Sequence, residues 1–145
     1  MIEVWKEPAS RLPNGTEHEE QTALFQRAAW SLGKYPELRW LFAVPNGGHR
    51  SKAVAGKLKA EGVKKGVPDI WLPVPRGTFH GLIIEMKVAV NRPSGQQREW
   101  LAYLDSAGYR VAVCYGELAA WAFLEDYLNG GTAFGQAERL RSAPV

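Results

Sequence analysis

The sequence predicts an α/β fold with a mixed central sheet flanked by helices. Short apolar runs typical of strands, such as Leu82–Val88, alternate along the chain with segments in which apolar residues recur at helical spacing, such as Glu117–Leu128. The chain has 145 residues, 46% hydrophobic and 23% charged, which is enough for one buried core and ordinary for a single globular domain. We expect the order helix, strand, short helix, two-strand hairpin, helix, strand, helix.

The first predicted helix follows residues 1–15, which contain two prolines and a glycine and are expected to form an irregular N-terminal arm. Thr16 is the predicted N-cap, because the sequence T-E-H-E places Glu19 where it can complete a capping box. The helix should end near Gly33, with an apolar stripe formed by Leu24, Ala28 and Leu32. Glu17 and Gln21 continue that stripe toward the N-terminus, and polar side chains in line with a buried face indicate a functional role.

The next segment is strongly basic. A predicted strand, Leu38–Val44, leads into the turn P-N-G-G-H-R, from which Asn46 and His49 can project. A short helix capped by Ser51 is expected to run to about Glu61 and to end at Gly62. Between Asn46 and Lys65, one acidic residue accompanies six basic ones, which gives a local charge of +5 against +3 for the whole chain. The basic residues are Arg50, Lys52, Lys57, Lys59, Lys64 and Lys65. This segment indicates phosphate contact, although a solvated helix face is the alternative, and a lone loop histidine is usually only solvated.

Two apolar runs, Ile70–Val74 and Leu82–Val88, are separated by a polar segment that contains glycine, which predicts a hairpin. Side chains alternate between the two faces of a strand, so Ile83, Glu85 and Lys87 share one face. The opposite face is entirely apolar and is expected to meet the core; it carries Leu82, Ile84, Met86 and Val88.

The C-terminal part is predicted to add a helix, a strand and a last helix. The helix runs from Ser94 to about Ala107 with Gly108 as its end, and the strand is Tyr109–Tyr115. Gln97 lies three residues after Ser94, so S-x-x-Q favours a capping box over an active-site role. The last helix, Glu117–Leu128, is expected to present one apolar stripe of Leu118, Trp121, Leu124 and Leu128. Residues 129–145 contain three glycines and are predicted to be a flexible tail.

The chemistry is expected where the two hairpin strands meet. Asp69 begins the first strand and Glu85 lies late in the second, so their carboxylates can converge. Converging carboxylates are the ligands that Mg²⁺ and Mn²⁺ prefer. Lys87 lies one pleat beyond Glu85 and can hold a water molecule or neutralise charge on a phosphoryl group, while Glu17 can complete the shell. The structural alternative is an ordinary cross-strand pair of opposite charges.

The remaining composition limits the class of protein. Cys114 is the single cysteine, so an internal disulfide framework and a cysteine-based zinc site are excluded, and a buried thiol in a reducing cytosol is expected. We find no signal-peptide pattern and no apolar run of membrane-spanning length, which predicts a soluble cytoplasmic chain.

Taken in order, the motifs T-E-H-E-E-Q, P-N-G-G-H-R, G-V-K-K-G-V-P-D-I, I-E-M-K and S-G-Q-Q-R-E-W-L resemble those of the virus-type replication–repair nuclease (VRR-NUC) domain. The resemblance covers residues 16–128 and implies a fold of the PD-(D/E)XK superfamily with divalent-metal phosphodiesterase activity, of the stand-alone kind carried by phages and bacteria. It implies that Asp69, Glu85 and Lys87 form the P-D…E-x-K motif, with the Met86 backbone carbonyl as a further metal ligand. Catalytic support is implied for Glu17 with Gln21 and for Gln97, and Glu20 is a rival for the position of Glu17.

These observations lead us to expect a Mg²⁺- or Mn²⁺-dependent DNA endonuclease. The expected DNA contacts are Asn46, His49, Arg50, Lys52, Lys64 and Lys65. We expect a homodimer that cuts branched DNA, with Holliday junctions favoured, because two symmetric cuts need paired sites. The expected interface uses apolar residues of the arm and the last helix, namely Ile2, Val4, Trp5, Trp121, Phe123 and Leu124. The alternatives are a non-cutting nucleic-acid-binding module, a monomeric nuclease that trims flaps or ends, and an RNA-directed nuclease, for which the sequence offers no aromatic platform of the RNP type.

Overall fold

The computed structural model describes residues 2–8, 15–46, 50–130 and 141–142. The described strands are β1 (Glu3–Lys6), β2 (Phe42–Ala43), β3 (Ile70–Leu72), β4 (Leu82–Lys87), β5 (Arg110–Tyr115) and β6 (Arg141–Ser142). The α-helices are α1 (Glu17–Trp30), α2 (Lys52–Ala60), α3 (Gly95–Ser106) and α4 (Glu117–Leu128), and a 3-10 helix spans Pro36–Trp40. The strands form one mixed sheet in the order β2-β3-β4-β5-β1-β6, which confirms the predicted fold class.

The sheet is parallel at its centre and antiparallel at its edges. β4 pairs in parallel with β5, and β5 in parallel with β1, whereas β3 with β4, β2 with β3, and β6 with β1 are antiparallel. α3 provides the crossover from β4 to β5, as a parallel connection requires. Within the described residues, no helix is long and apolar enough to cross a membrane.

Both faces of the central strands are buried. The larger core contains β4 residues Leu82, Ile84 and Met86 together with side chains of α1 and α4. The smaller core joins Ile83 to Val111 and Val113 of β5 and to Leu101 and Leu104 of α3. Ile83 is therefore part of a second core, and the two charged side chains beyond it continue a face that α3 covers.

The predicted helix starts are confirmed by their caps. The hydroxyl of Thr16 accepts from Glu19 N–H at 3.1 Å, and that of Ser51 accepts from Val54 N–H at 3.2 Å. Ser94 and Gln97 form a reciprocal capping box at the start of α3. Gly108 has φ 98°, the left-handed conformation expected of a glycine just after a helix.

The prediction of a strand at Leu38–Val44 was wrong for most of its length. Pro36 opens a 3-10 helix, and only Phe42–Ala43 pairs with β3. The buried residues here are Leu38 and Leu41, three positions apart. That spacing matches one turn of a 3-10 helix and not the two-residue period of a strand.

The N-terminal arm was predicted to be irregular, but it contains β1. Trp5 is only 1% exposed, and its ring lies 5.4 Å from that of Phe123 between centroids. Arg110 at the start of β5 binds the Glu3 carboxylate at 2.7 and 3.0 Å and Asp126 of α4 at 2.7 Å. The predicted dimer surface is wrong for four of its six residues, because Val4, Trp5, Phe123 and Leu124 are buried in the chain's own core, while Ile2 and Trp121 are partly buried.

The C-terminal end also differs from the predicted pattern. Leu118 is 42% exposed and is not part of an apolar stripe, whereas Ala120, Phe123 and Tyr127 of α4 are buried. The alanines of α4 allow it to bury most of its circumference. In the predicted tail, β6 pairs with β1, and residues 131–140 and 143–145 lie outside the described part of the chain.

Candidate active site

Asp69 and Glu85 face each other across the β3–β4 hairpin. The register pairs Ile70 with Ile84, so the next position outward places Asp69 opposite Glu85 on the face covered by α3. The loop before β3 is held in place because the Val44 N–H donates to the main-chain carbonyl of Asp69 at 2.8 Å. The Asp69 carboxylate accepts from the Met86 N–H at 2.9 Å. The sequence prediction that these two carboxylates converge agrees with this geometry.

Glu85 is fully buried, with 0% exposure. Neither of its carboxylate oxygens meets an N–H or O–H donor in the described part of the chain. Burial raises the pKa of Glu85 to about 10, and the hydrogen bond and negative charge of Asp69 act in the same direction. Two carboxyl groups can share a hydrogen bond only while one of them holds a proton, so Glu85 is protonated at neutral pH in the protein without metal.

Lys87 extends the site by one pleat. It is 6% exposed, and its Nζ lies 3.6 Å from Oε1 of Glu17 at the start of α1. The positive charge of Lys87 opposes the rise in the pKa of Glu85, while the charge of Glu17 adds to it. Among the rival acids of α1, the one in contact with Lys87 is thus Glu17 and not Glu20.

The donor set suits an oxygen-preferring cation. Among the described residues no N–H or O–H group donates to Glu85, so without metal its carboxyl group is satisfied only by the hydrogen bond shared with Asp69, and a divalent cation would take the place of that proton. Glu17 is turned toward Lys87, and the described residues include no group of three or more His, Cys, Asp or Glu side chains arranged to hold a metal. Asp69 and Glu85 are therefore the two side chains that fit the ion.

The other predicted site residues are Gln21, Gln97 and Met86, and each has a different environment. Gln21 is half-buried on α1, one turn after Glu17. The side-chain oxygen of Gln97 accepts from the Ser94 N–H at 2.8 Å, which is the capping role expected on physical grounds. Met86 is buried with its side chain in the larger core, and its carbonyl belongs to the strand that carries Glu85.

A basic cleft of about 650 Å³ lies between α2 and the start of α3. Its charged lining residues are all cations: Arg50, Lys59, Lys64 and Lys65. Asn46 also lines it, and its amide donates to the Val67 carbonyl at 2.8 Å, two residues before Asp69. The cleft is thereby joined to the loop that carries the site.

Of the predicted DNA contacts, four line this cleft: Asn46, Arg50, Lys64 and Lys65. Lys52 is exposed at the start of α2 and does not line the cleft, and His49 lies outside the described residues.

The model of the VRR-NUC domain matches residues 15–118 of this chain. The chain belongs to the VRR-NUC family. A solved structure titled VRR_NUC domain protein is similar at 28% identity and a TM-score of 0.68, over 82% of this chain and 93% of that one. No match to a curated protein sequence was found. Membership of the VRR-NUC family confirms the resemblance and implies a nuclease of the PD-(D/E)XK kind with a DNA substrate.

In this VRR-NUC chain, two polar residues that line the cleft, Lys59 and Gln96, were not predicted as DNA contacts. Lys59 was visible in the sequence only as one of six basic residues. Gln96 gave no signal of its own beyond its place in the first turn of α3. Both line the cleft because α2 and α3 approach each other there, which is a non-local feature.

Proposed function

We propose that this chain is a DNA endonuclease that requires Mg²⁺ or Mn²⁺. The supporting observation is the fully buried carboxyl group of Glu85, which faces the half-buried carboxylate of Asp69 across the hairpin and lies on the strand that also carries Lys87. A charge pair made only for stability would place opposite charges together, but here the side chain that shares a hydrogen bond with Glu85 is another carboxyl group, that of Asp69.

Asp69 and Glu85, with the Met86 carbonyl, would hold the cation. When bound, such an ion polarises a phosphoryl oxygen and lowers the pKa of coordinated water. Lys87 points its ammonium from the same strand face, where it orients the attacking water or offsets charge on the phosphoryl group. Glu17 keeps Lys87 in position through their ion pair. Gln97 caps the start of α3, which fixes that end of the helix, and Gln21 supports the site from the same helix as Glu17.

Metal-dependent cleavage of plasmid DNA tests this proposal. Asp69→Ala and Glu85→Ala should each lose more than about a hundredfold in rate with either metal, because removal of a group beyond the ligands already costs roughly 10–100-fold. Circular dichroism and thermal unfolding of each variant are the check that lost cleavage is not lost folding. Glu20→Ala is the matched control and should cut normally. Near-normal turnover of either site variant with Mn²⁺ would defeat the assignment, and metal-independent binding without nicking would favour the non-cutting module.

The finer proposal is that the enzyme acts on branched DNA as a homodimer, with Holliday junctions preferred. Its support is that each chain holds one site, whereas resolution needs two symmetric cuts. Because the predicted interface residues are in the core, a dimer must use other exposed side chains, of which Trp30 and Trp40 are the largest apolar ones at 77% and 56% exposure. Light scattering with and without junction DNA decides this. A monomer in both conditions would defeat the resolvase proposal and leave a nuclease that trims flaps or ends.

A further inference from the structure

Helix α2 lacks the packing that normally stabilises a helix. None of its nine residues is buried, and Val54 is 49% exposed. Helices this short are marginal on their own, and in proteins they are stabilised mainly by an apolar face packed on the core. A helix without that face has room for a partner from outside the chain.

Gly56 lies in the middle of α2, where glycine is about 1 kcal/mol less favourable than alanine. A Cβ atom at this position would meet nothing within 4 Å, so no close packing inside the described chain requires a glycine here. Gly56 and Ala55 both line the basic cleft. At these two positions the side of α2 that faces the cleft carries little or no side chain, so another backbone can approach the helix closely there.

The opposite wall of the cleft is fixed. Gly66 has φ 84°, and a side chain there would lie 2.8 Å from the backbone carbonyl carbon of Gln96 in α3. This contact holds the Lys64–Lys65 segment against the first turn of α3, where helix N–H groups favour anions. Cations therefore converge from both walls onto a groove in which no acidic side chain is among the described lining residues.

We propose that this cleft seats the sugar–phosphate backbone of the DNA strand that is cut, with Gly56 at the point of closest approach and Lys59 on a phosphate. The inference rests on the proposed nuclease function and names the path of its substrate. Lys65 is four residues before Asp69, a span of at most roughly 14 Å. A phosphate seated at Lys65 is then about four nucleotides or fewer from Asp69, at about 3.4 Å per nucleotide along the duplex.

The steric part is tested by Gly56→Gln, with Ala53→Gln as the matched control on the same helix outside the cleft. Gly56→Gln should weaken binding of a labelled duplex by about tenfold or more, equivalent to about 1.4 kcal/mol. It should leave the melting temperature at or above that of the wild type, because glutamine is the better helix former. Ala53→Gln should bind normally. Binding is measured by fluorescence anisotropy in an Asp69→Ala background, so that cleavage does not interfere.

The electrostatic part is tested by Lys59→Gln against Lys57→Gln, which removes the same charge two residues away, outside the cleft. Lys59→Gln should reduce the slope of log affinity against log salt by about 0.9, the value for one lost phosphate contact. Lys57→Gln should change it much less. Equal slopes for the two variants, or normal binding by Gly56→Gln, would overturn the inference. These experiments measure DNA binding alone. Normal DNA binding by the cleft variants would therefore not contradict metal-dependent cleavage. Absence of metal-dependent cleavage would likewise not change the measured effect of the cleft variants on DNA binding.

Discussion

Replacing Glu85 by glutamine should stabilise the protein without metal. Glu85 has a pKa raised from 4.5 to about 10, so between these values the folded chain holds a proton that the unfolded chain releases. Stability from the protonated carboxyl is fully present below pH 4.5 and is lost as pH rises toward the folded pKa.

The size of the effect follows from this pKa. Each pH unit above 4.5 favours ionisation in the unfolded chain by about 1.4 kcal/mol, which amounts to about 3 kcal/mol at pH 7. Glutamine has nearly the same shape, carries no charge at any pH, and can donate its amide hydrogen to Asp69. Glu85→Gln should therefore match the wild type near pH 4 and exceed it at neutral pH, with a melting temperature higher by on the order of 10 °C.

Thermal and urea unfolding in chelator, followed by circular dichroism from acid to alkaline pH, measure this difference. Glu20→Gln is the control, because it removes one negative charge from α1 without touching the buried pair. The reasoning fails if Glu85→Gln gives no gain at neutral pH, or if its gain is the same at pH 4. Either outcome would mean that the Glu85 carboxyl is not held protonated in the fold.

Three further outcomes are expected. Stabilisation of the wild type by added Mn²⁺ should grow from about pH 6 to about pH 9, because Glu85 must release its proton to bind a cation. The rise in melting temperature on addition of Mn²⁺ measures this, and a rise that does not change with pH would contradict it. Lys87→Ala should lose cleavage while calorimetry still shows metal binding. Lys87→Arg should not restore activity, because a wide guanidinium cannot replace a compact ammonium. Loss of metal binding in Lys87→Ala would show that Lys87 is needed for metal binding and not only for the attacking water or the phosphoryl group. Charge reversal of both Lys64 and Lys65 should weaken binding of all DNA sequences and flatten the salt dependence; an unchanged salt slope would make this segment a solvated surface.

Local sequence patterns predicted the helix starts and the position of the two carboxyl groups. Thr16, Ser51 and Ser94 begin helices because each hydroxyl can reach an N–H three residues on, a relation that is complete within the sequence. The hairpin placed Asp69 opposite Glu85 for a similar reason, since strand alternation and a short connection fix which side chains share a face. The side-chain roles of these site residues remain predictions.

Features that depend on contacts between distant parts of the chain could not be predicted from local sequence patterns. β1 is four residues long and takes its place only because β5, more than a hundred residues later, offers a parallel partner. The exposed-looking Trp5 was misassigned for that reason. The raised pKa of Glu85 has complete burial as its main cause, and that burial depends on the packing of the whole sheet, which the pattern of one strand does not show.

The position of β1 also affects which residue limits a shortened version of this chain should have. The family match begins at residue 15 and ends at residue 118, within α4, so it leaves out both rings of the Trp5–Phe123 contact. A chain trimmed to those limits would turn β5 from an interior strand into an edge strand, and its V-A-V-C run would offer unpaired backbone groups to other chains. Arg110 would lose both of its ion-pair partners, Glu3 and Asp126. The sheet and the buried core therefore extend beyond both limits of the family match.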